Sequence, residues 1–371
     1  MTTTLRYDED HALLREQARR WIAERSPMSV VRRLTDDARG DDPDVWKELA
    51  DLGWLGLLIP EAHGGSGLGF THLAVLLEET GRQLLPSPLL PVTLAALAIE
   101  HGGSEAQRAR WLPRIAAGAV RSSLAHVQPD GSWQAADTRA TRSAGRLSGE
   151  KQHVWAAPTA DVFIVPFREN GATRLALVEA AARGVSVVPE IAVDRTRRSG
   201  RVVMRDVAVS DDDILPVAAE DVLQFLLPRA CTALAAEMAG GADALLTMTA
   251  AYAATRIQFG RPIGSFQAVK HPLVNILIAI EHGRSLVYAA AAALDAGAPD
   301  AELLARMAKA QLNETYMFAA ARGVQSHGGF GFTIDCDVHF YFKRAHASRP
   351  AFGDASHHRR WIADHLIAHA R

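Results

Sequence analysis

The chain has 371 residues, 48% hydrophobic and 22% charged, which suits two or three packed sub-domains and excludes a disordered chain. Its 40 basic and 42 acidic residues leave a formal charge of -2, giving no electrostatic reason for a nucleic-acid or anionic-membrane partner. Only two cysteines, Cys231 and Cys336, argue against a disulfide scaffold; no spacing suggests a metal site, and a reducing cytoplasm is the expected compartment.

The N-terminal stretch is polar and lacks an apolar signal segment, and no uninterrupted apolar run approaches the roughly 20 residues that span a bilayer. Residues 8–117 read as helix. Leu13, Leu14, Ala18 and Ile22 recur at three- and four-residue spacing, the mark of one buried face. Asp44 is the expected cap of the helix carrying Trp46, Leu49 and Leu52. Glycines 64, 65 and 67 with Pro60 then break the pattern. No Lys-Ser/Thr pair follows, so the break reads as a turn rather than a phosphate loop. Helical spacing resumes at Leu73, Leu76 and Leu77.

From 122 to about 216 the texture changes to short β-branched runs: Val162–Val165, Leu175–Val178, Val185–Val188 and Arg201–Val209. They predict a small β domain, with no helices between strands to build a doubly wound sheet. Beyond Pro216 the pattern is helical again. Leu234, Met238, Gly241, Leu245, Met248 and Tyr252 keep helical spacing, Pro228 is expected to start or kink that helix, and another long helix is predicted over 299–327. The expected fold is mostly α with a central small β domain, divided 1–120, 121–216 and 217–371. That order excludes TIM barrels and Rossmann enzymes.

Two stretches carry chemistry. In Arg256-Ile257-Gln258-Phe259-Gly260-Arg261-Pro262-Ile263-Gly264-Ser265-Phe266-Gln267, a helix ends, a glycine breaks the chain and a new helix begins. An arginine there is placed to neutralise an anion, and Gln267 offers a planar amide. A solvated arginine beside a helix end is the plainer reading of Arg256 alone. In Gln325-Ser326-His327-Gly328-Gly329-Phe330-Gly331-Phe332-Thr333, three glycines in four positions let backbone approach a ligand. No βαβ unit surrounds them, so they are not a dinucleotide fingerprint.

In this order and separation, the two stretches closely resemble the acyl-CoA dehydrogenase family. Trp54–Glu61, His63–Gly67, Glu78-Glu79-Thr80-Gly81, Asp194-Arg195-Thr196-Arg197 and Asp337–Ala345 extend the resemblance over nearly the whole chain. It implies an N-terminal helical domain, a β-barrel-like middle domain and a C-terminal four-helix bundle. It also implies bound FAD, an acyl-CoA substrate, an electron-transfer flavoprotein as acceptor, and a dimer or tetramer. The residues matching Arg256 and Phe259 would reach the FAD of a neighbouring subunit, and those matching Gln267, Gln325, Gly328 and Gly329 would hold its adenylate and pyrophosphate. A forked arginine suits a diphosphate.

Two departures stand against the resemblance. The family's α,β-dehydrogenation needs a carboxylate base near the acyl α carbon. Its two known locations fall here on Phe352 and Ala230. Asp354 is a candidate substitute, although a helix cap is the expected role, and Glu237 is expected to serve packing or an internal salt bridge. His357 and His358 are expected at the surface. The family's segments against the flavin ring are also altered, to Ala125-His126-Val127-Gln128-Pro129-Asp130-Gly131-Ser132 and His153-Val154-Trp155. Three readings follow: an active FAD-dependent dehydrogenase with an unconventional base, a non-catalytic partner subunit completing a homologue's FAD site, or a same-fold flavin oxidase or monooxygenase.

Overall fold

The computed structural model describes residues 8–369. The chain is mostly helical with one central sheet domain. By contact it divides into two compact units: one comprises the chain up to Arg32, 70–85 and 228 onward, the other 33–69 and 86–227.

Local chemistry sets the element ends. Helix α1 (Glu9–Arg25) is capped by Asp8, which accepts from His11 N at 3.3 Å. It buries Ala18 and Ile22 but leaves Leu13 exposed. After α2 (Met28–Asp36), helix α3 (Pro43–Asp51) starts one residue before the expected Asp44. Pro43 lacks an N–H and fits the first helical turn, which moves the capping role to Asp42; its carboxylate accepts from Asp44 N at 3.0 Å. The Gly-rich break is a turn whose amides are occupied: Gly65 N, Ser66 N and Gly67 N donate to Pro60 O, Gly56 O and Ile59 O. Then come α4 (Phe70–Arg82), α5 (Leu89–Gly102) and α6 (Glu105–Ala116), the last opened by a Ser104–Gln107 capping box.

The sheet contains β1 (Ser122–Leu124), β2 (Thr141–Ser143), β3 (Arg146–Trp155), β4 (Val162–Glu169), β5 (Ala172–Glu179), β6 (Val185–Pro189) and β7 (Ser199–Ala208). Its order is β1-β4-β2-β3-β7-β6, with β5 also paired to β4. Strand β4 pairs in parallel with β1 and β2, and the other pairings are antiparallel. Leu147, Val154, Phe163, Val165, Phe167 and Val202 belong to its core. The β3–β7 register shifts between Lys151 and Val154, where His153 takes a left-handed φ of 52°.

The helical unit is completed by α7 (Ala219–Thr255, entering it at Pro228), α8 (Gln267–Asp295), α9 (Ala301–His327), α10 (Val338–Ser348) and α11 (Ala355–His369). Pro228 lies inside α7 rather than at its start. By length and composition α7 and α8 could cross a membrane, but 67% of the α7 window is buried within the protein.

Helices α4 and α7 cross closely, with one glycine of each against the backbone of the other. A Cβ at Gly81 would overlap the Glu237 backbone, and one at Gly240 would overlap the Glu78 carbonyl. Beside this crossing, Glu78 and Glu79 are each 1% exposed. Glu78 accepts from Arg15 at 3.0 Å, Arg284 at 2.8 Å and the Tyr288 hydroxyl at 2.8 Å. Glu79 takes a forked pair from Arg19 at 3.0 and 2.8 Å and an ion pair with Arg82 at 3.2 Å. Burial pushes the Glu78 carboxyl up, but Arg284, Arg15 and Tyr288 more than reverse this and hold it below the usual range. Gly240→Ala should therefore destabilise the protein by about 3 kcal/mol or more, because backbone rather than a flexible side chain must move. Urea unfolding of the variant checks this; a midpoint equal to that of the parent would contradict the close crossing.

Candidate functional site

The two glycine-containing stretches meet at one end of the helical unit. Helix α7 ends at Thr255, and a hairpin follows from β8 (Ile257–Gln258) and β9 (Arg261–Pro262). Phe259 and Gly260, with φ of 52° and 75°, form its turn. Residues 254–262 are all exposed, and Phe259 is 92% accessible. The Arg256 guanidinium has no hydrogen bond or ion pair among the described residues. Phe266 packs edge-on to Phe259 at 6.1 Å and under Arg261 at 4.2 Å, and Gln267 then opens α8 as an exposed residue.

At the end of α9, Gly328 has φ 60° and ψ -142°, a conformation reserved for glycine. A Cβ at Gly328 or Gly329 would meet nothing within 4 Å, so both border open space, and Gln325 is exposed beside them. The Tyr252 and His327 rings stack at 4.3 Å, joining the last turn of α7 to the last turn of α9. Arg256, Phe259, Gln267, Gln325, Gly328 and Gly329 are thus presented from one end. Beyond the glycines, Phe332 and Ile334 are 81% and 74% exposed. Arg32 clasps this connection, donating to Ile334 O, to Asp335 O at 2.9 Å and to Asp337.

The segments expected against a flavin ring are turned to other work. The Gln128 side chain is buried, donating to His126 O at 3.0 Å and accepting from Arg139 N at 3.2 Å. Gln152 N occupies Val127 O at 2.9 Å. Burial pushes the His126 imidazole down to about 4. His153 N and Nδ1 both engage the Glu190 carboxylate, at 3.0 and 3.2 Å. Arg197 covers the Trp155 ring at 4.6 Å. The exposed arginine and the open glycine cradle suit a diphosphate and its nucleoside.

The two base locations also converge. Cys231, next to Ala230, places Sγ 3.9 Å from Phe352 O and 3.9 Å from His358 Nε2. Ala230 is fully buried and Phe352 is 9% exposed, so the place they mark is apolar and neither residue supplies a carboxylate. Asp354 accepts from His357 N at 2.9 Å, capping α11, and that bond holds its carboxyl below the usual range. Glu237 is partly buried, with its backbone against Gly81. The expectation of surface histidines on α11 fails for His358, which is fully buried, and His357 is half-buried; α11 packs on α9. Burial pushes His358 down to about 3 and the Cys231 thiol up to about 11, so both are neutral near pH 7.

Two lysines escaped the sequence reading. Lys309 lies in the interior of α9 beside this place. Lys151 points inward on β3, in phase with Leu147, and its Nζ is buried with no hydrogen-bond partner among the described residues. The inward alternation was the available signal, but a charged residue there breaks the pattern it would be read from.

Family descriptions for the acyl-CoA dehydrogenase N-terminal and C-terminal domains match residues 8–119 and 222–367. Acyl-CoA dehydrogenase IpdE2 of Mycobacterium tuberculosis is 34% identical over 342 residues, covering 92% of each chain. A chain of the Tcur3481-Tcur3483 steroid ACAD G363A variant is 33% identical, with a TM-score of 0.88 over 98% of this chain and 99% of that one. A chain of the ChsE4-ChsE5 complex from Mycobacterium tuberculosis is 28% identical, with a TM-score of 0.90 over 99% of both. The chain belongs to the acyl-CoA dehydrogenase family, whose members are FAD-dependent oxidoreductases.

Burial pushes Lys151 from 10.5 down to about 7. Between those values the unfolded chain holds a proton that the folded chain lacks, so stability should rise with pH across that window and flatten below about 7. Lys151→Met should remove this dependence and stabilise the protein by about 2–4 kcal/mol at pH 6.5. Denaturant unfolding at pH 6.5 and 9 tests it; an unchanged pH dependence would contradict the buried, unpaired amine.

Proposed function

We propose that this chain is a partner subunit of a heteromeric acyl-CoA dehydrogenase. It lends its helical end to the FAD of a homologous chain that carries the catalytic base. The observation that carries this reading is the contrast between two halves of one cofactor's contacts. Arg256, Phe259, Gln267, Gln325, Gly328 and Gly329 are exposed and unengaged toward a ligand. The segments around His126, His153 and Trp155 are instead committed within the chain. The apolar place at Ala230 and Phe352 supports the same reading, because α-proton removal needs a base there. Two of the similar structures carry two-chain names, Tcur3481-Tcur3483 and ChsE4-ChsE5.

In this arrangement the Arg256 guanidinium would pair with the diphosphate, where its fork gives charge-assisted hydrogen bonds. Gly328 and Gly329 would let backbone approach it, and Gln267 and Gln325 would offer amides to the adenylate side. FAD, when bound, supplies the hydride acceptor for α,β-dehydrogenation of an acyl-CoA thioester. An electron-transfer flavoprotein would take the electrons, in the cytoplasm. The exposed apolar side chains of the hairpin and of α8, Ile257, Phe259, Val274, Leu277 and Ile278, give a homologous partner a surface to cover.

A second reading, an active homo-oligomer, draws on Asp354, a carboxylate two residues from Phe352 in the same turn. The chain expressed alone should purify without a flavin absorption band and acquire one on co-expression with a homologous chain. A stoichiometric band in the lone chain, bleached anaerobically by acyl-CoA, would support the homo-oligomer instead. Asp354→Asn would then test that base. In the co-expressed complex, Arg256→Ala should weaken FAD retention by about tenfold or more through loss of a charge-assisted contact. Undiminished FAD content after dialysis would contradict the diphosphate role.

A further inference from the structure

Lys309 is fully buried in the interior of α9. Its Nζ donates to Asn313 Oδ1 at 2.7 Å, Gly353 O at 3.0 Å, Arg349 O at 3.2 Å and Ser348 O at 3.5 Å. Three of these acceptors are carbonyls at the end of α10 and in the turn that leads to α11. A helix end leaves such carbonyls without intrahelical donors, and burying them unpaired is costly. The same turn holds Phe352 at φ 56° and Gly353 at φ 99°. A left-handed phenylalanine persists only where its surroundings impose it.

We propose that Lys309 is the positioning residue of this turn, its ammonium gathering the carbonyls of Ser348, Arg349 and Gly353 so that the Phe352 backbone stays sealed over Cys231. The shape of the wall at the family's base position is then set by a lysine on another helix, whatever side chain residue 352 carries. The inference rests on the turn's geometry and goes beyond the partner-subunit reading without depending on it.

The titratable and charged groups around Lys309 are Cys231 on α7, Arg306 on α9, Arg349 after α10, Asp354 in the turn, and His357 and His358 on α11. Asp354 alone among them is a carboxylate, and it is engaged at His357 N. Burial pushes Lys309 down to about 8. Below that value the ammonium keeps three donors; above it the neutral amine has two, and the clasp weakens.

Cys231 reports the state of the turn, since its thiol has no exposure while the turn is closed. Alkylation at pH 7, followed by peptide mass mapping, gives its rate with Cys336 as the control. Lys309→Met should speed Cys231 modification by about tenfold or more as the local opening free energy falls, with Cys336 unchanged. Lys309 lowers the Cys231 pKa, so removing it slows the thiol's intrinsic reaction, and acceleration can only come from opening. An unchanged or slower Cys231 rate overturns the proposal. Should the variant fail to fold, amide exchange of the parent decides. Protection over residues 349–358, corrected for intrinsic rates, should fall through about pH 8 relative to residues 310–325. Protection flat from pH 6.5 to 9.5 overturns it.

Discussion

Two adjacent carboxylates, Glu78 and Glu79, sit almost without exposure on α4, and the helical unit surrounds them with arginines. Arginines arrive from α1, α4 and α8, and Arg82 and Arg284 also reach Asp243 on α7. A buried carboxylate stripped of its partners costs several kcal/mol, so none of these helices can withdraw cheaply. The glycine crossing at Gly81 and Gly240 brings α4 and α7 close beside that network. With α7 and α8 fixed in this way, the hairpin between them is also placed. The Tyr252–His327 stack then brings the end of α9 alongside.

Functional consequence follows from what this scaffold presents and what it hides. Its one end offers an unengaged arginine, an open glycine cradle and uncovered aromatic side chains. In the sheet domain, His153 is bonded to Glu190 and Arg197 covers the Trp155 ring. At the apolar place between α7 and the α10–α11 turn, a neutral Cys231–His358 pair stands near Phe352. Neither Ala230 nor Phe352 supplies a carboxylate there, and Asp354 in the same turn caps α11. The fold is shared with the family, so what sets this chain apart lies in its side chains.

Much of the architecture was legible in the sequence. The helix–sheet–helix order followed from the change between periods of three to four and short β-branched runs. The two glycine stretches stand out in the sequence, but only the structure brings them to one end, through Tyr252 and His327. The cap of α3 is Asp42, two residues before the expected Asp44, because Pro43 takes the first helical turn. The His357–His358 pair was read as solvated because sequence cannot tell which side of α11 meets α9. Lys151 and Lys309 were illegible for a related reason. A lysine reads as surface by composition, and only three-dimensional placement shows one facing a sheet core and the other gathering the carbonyls of a distant turn.

The most direct measurement is the ratio of FAD to each polypeptide in the intact complex isolated with its homologous partner, by native mass spectrometry and flavin absorbance. If this chain lends its end and holds no flavin ring of its own, FAD should number with the partner chain alone, one per pair of subunits. One FAD for every chain, this one included, would contradict that division.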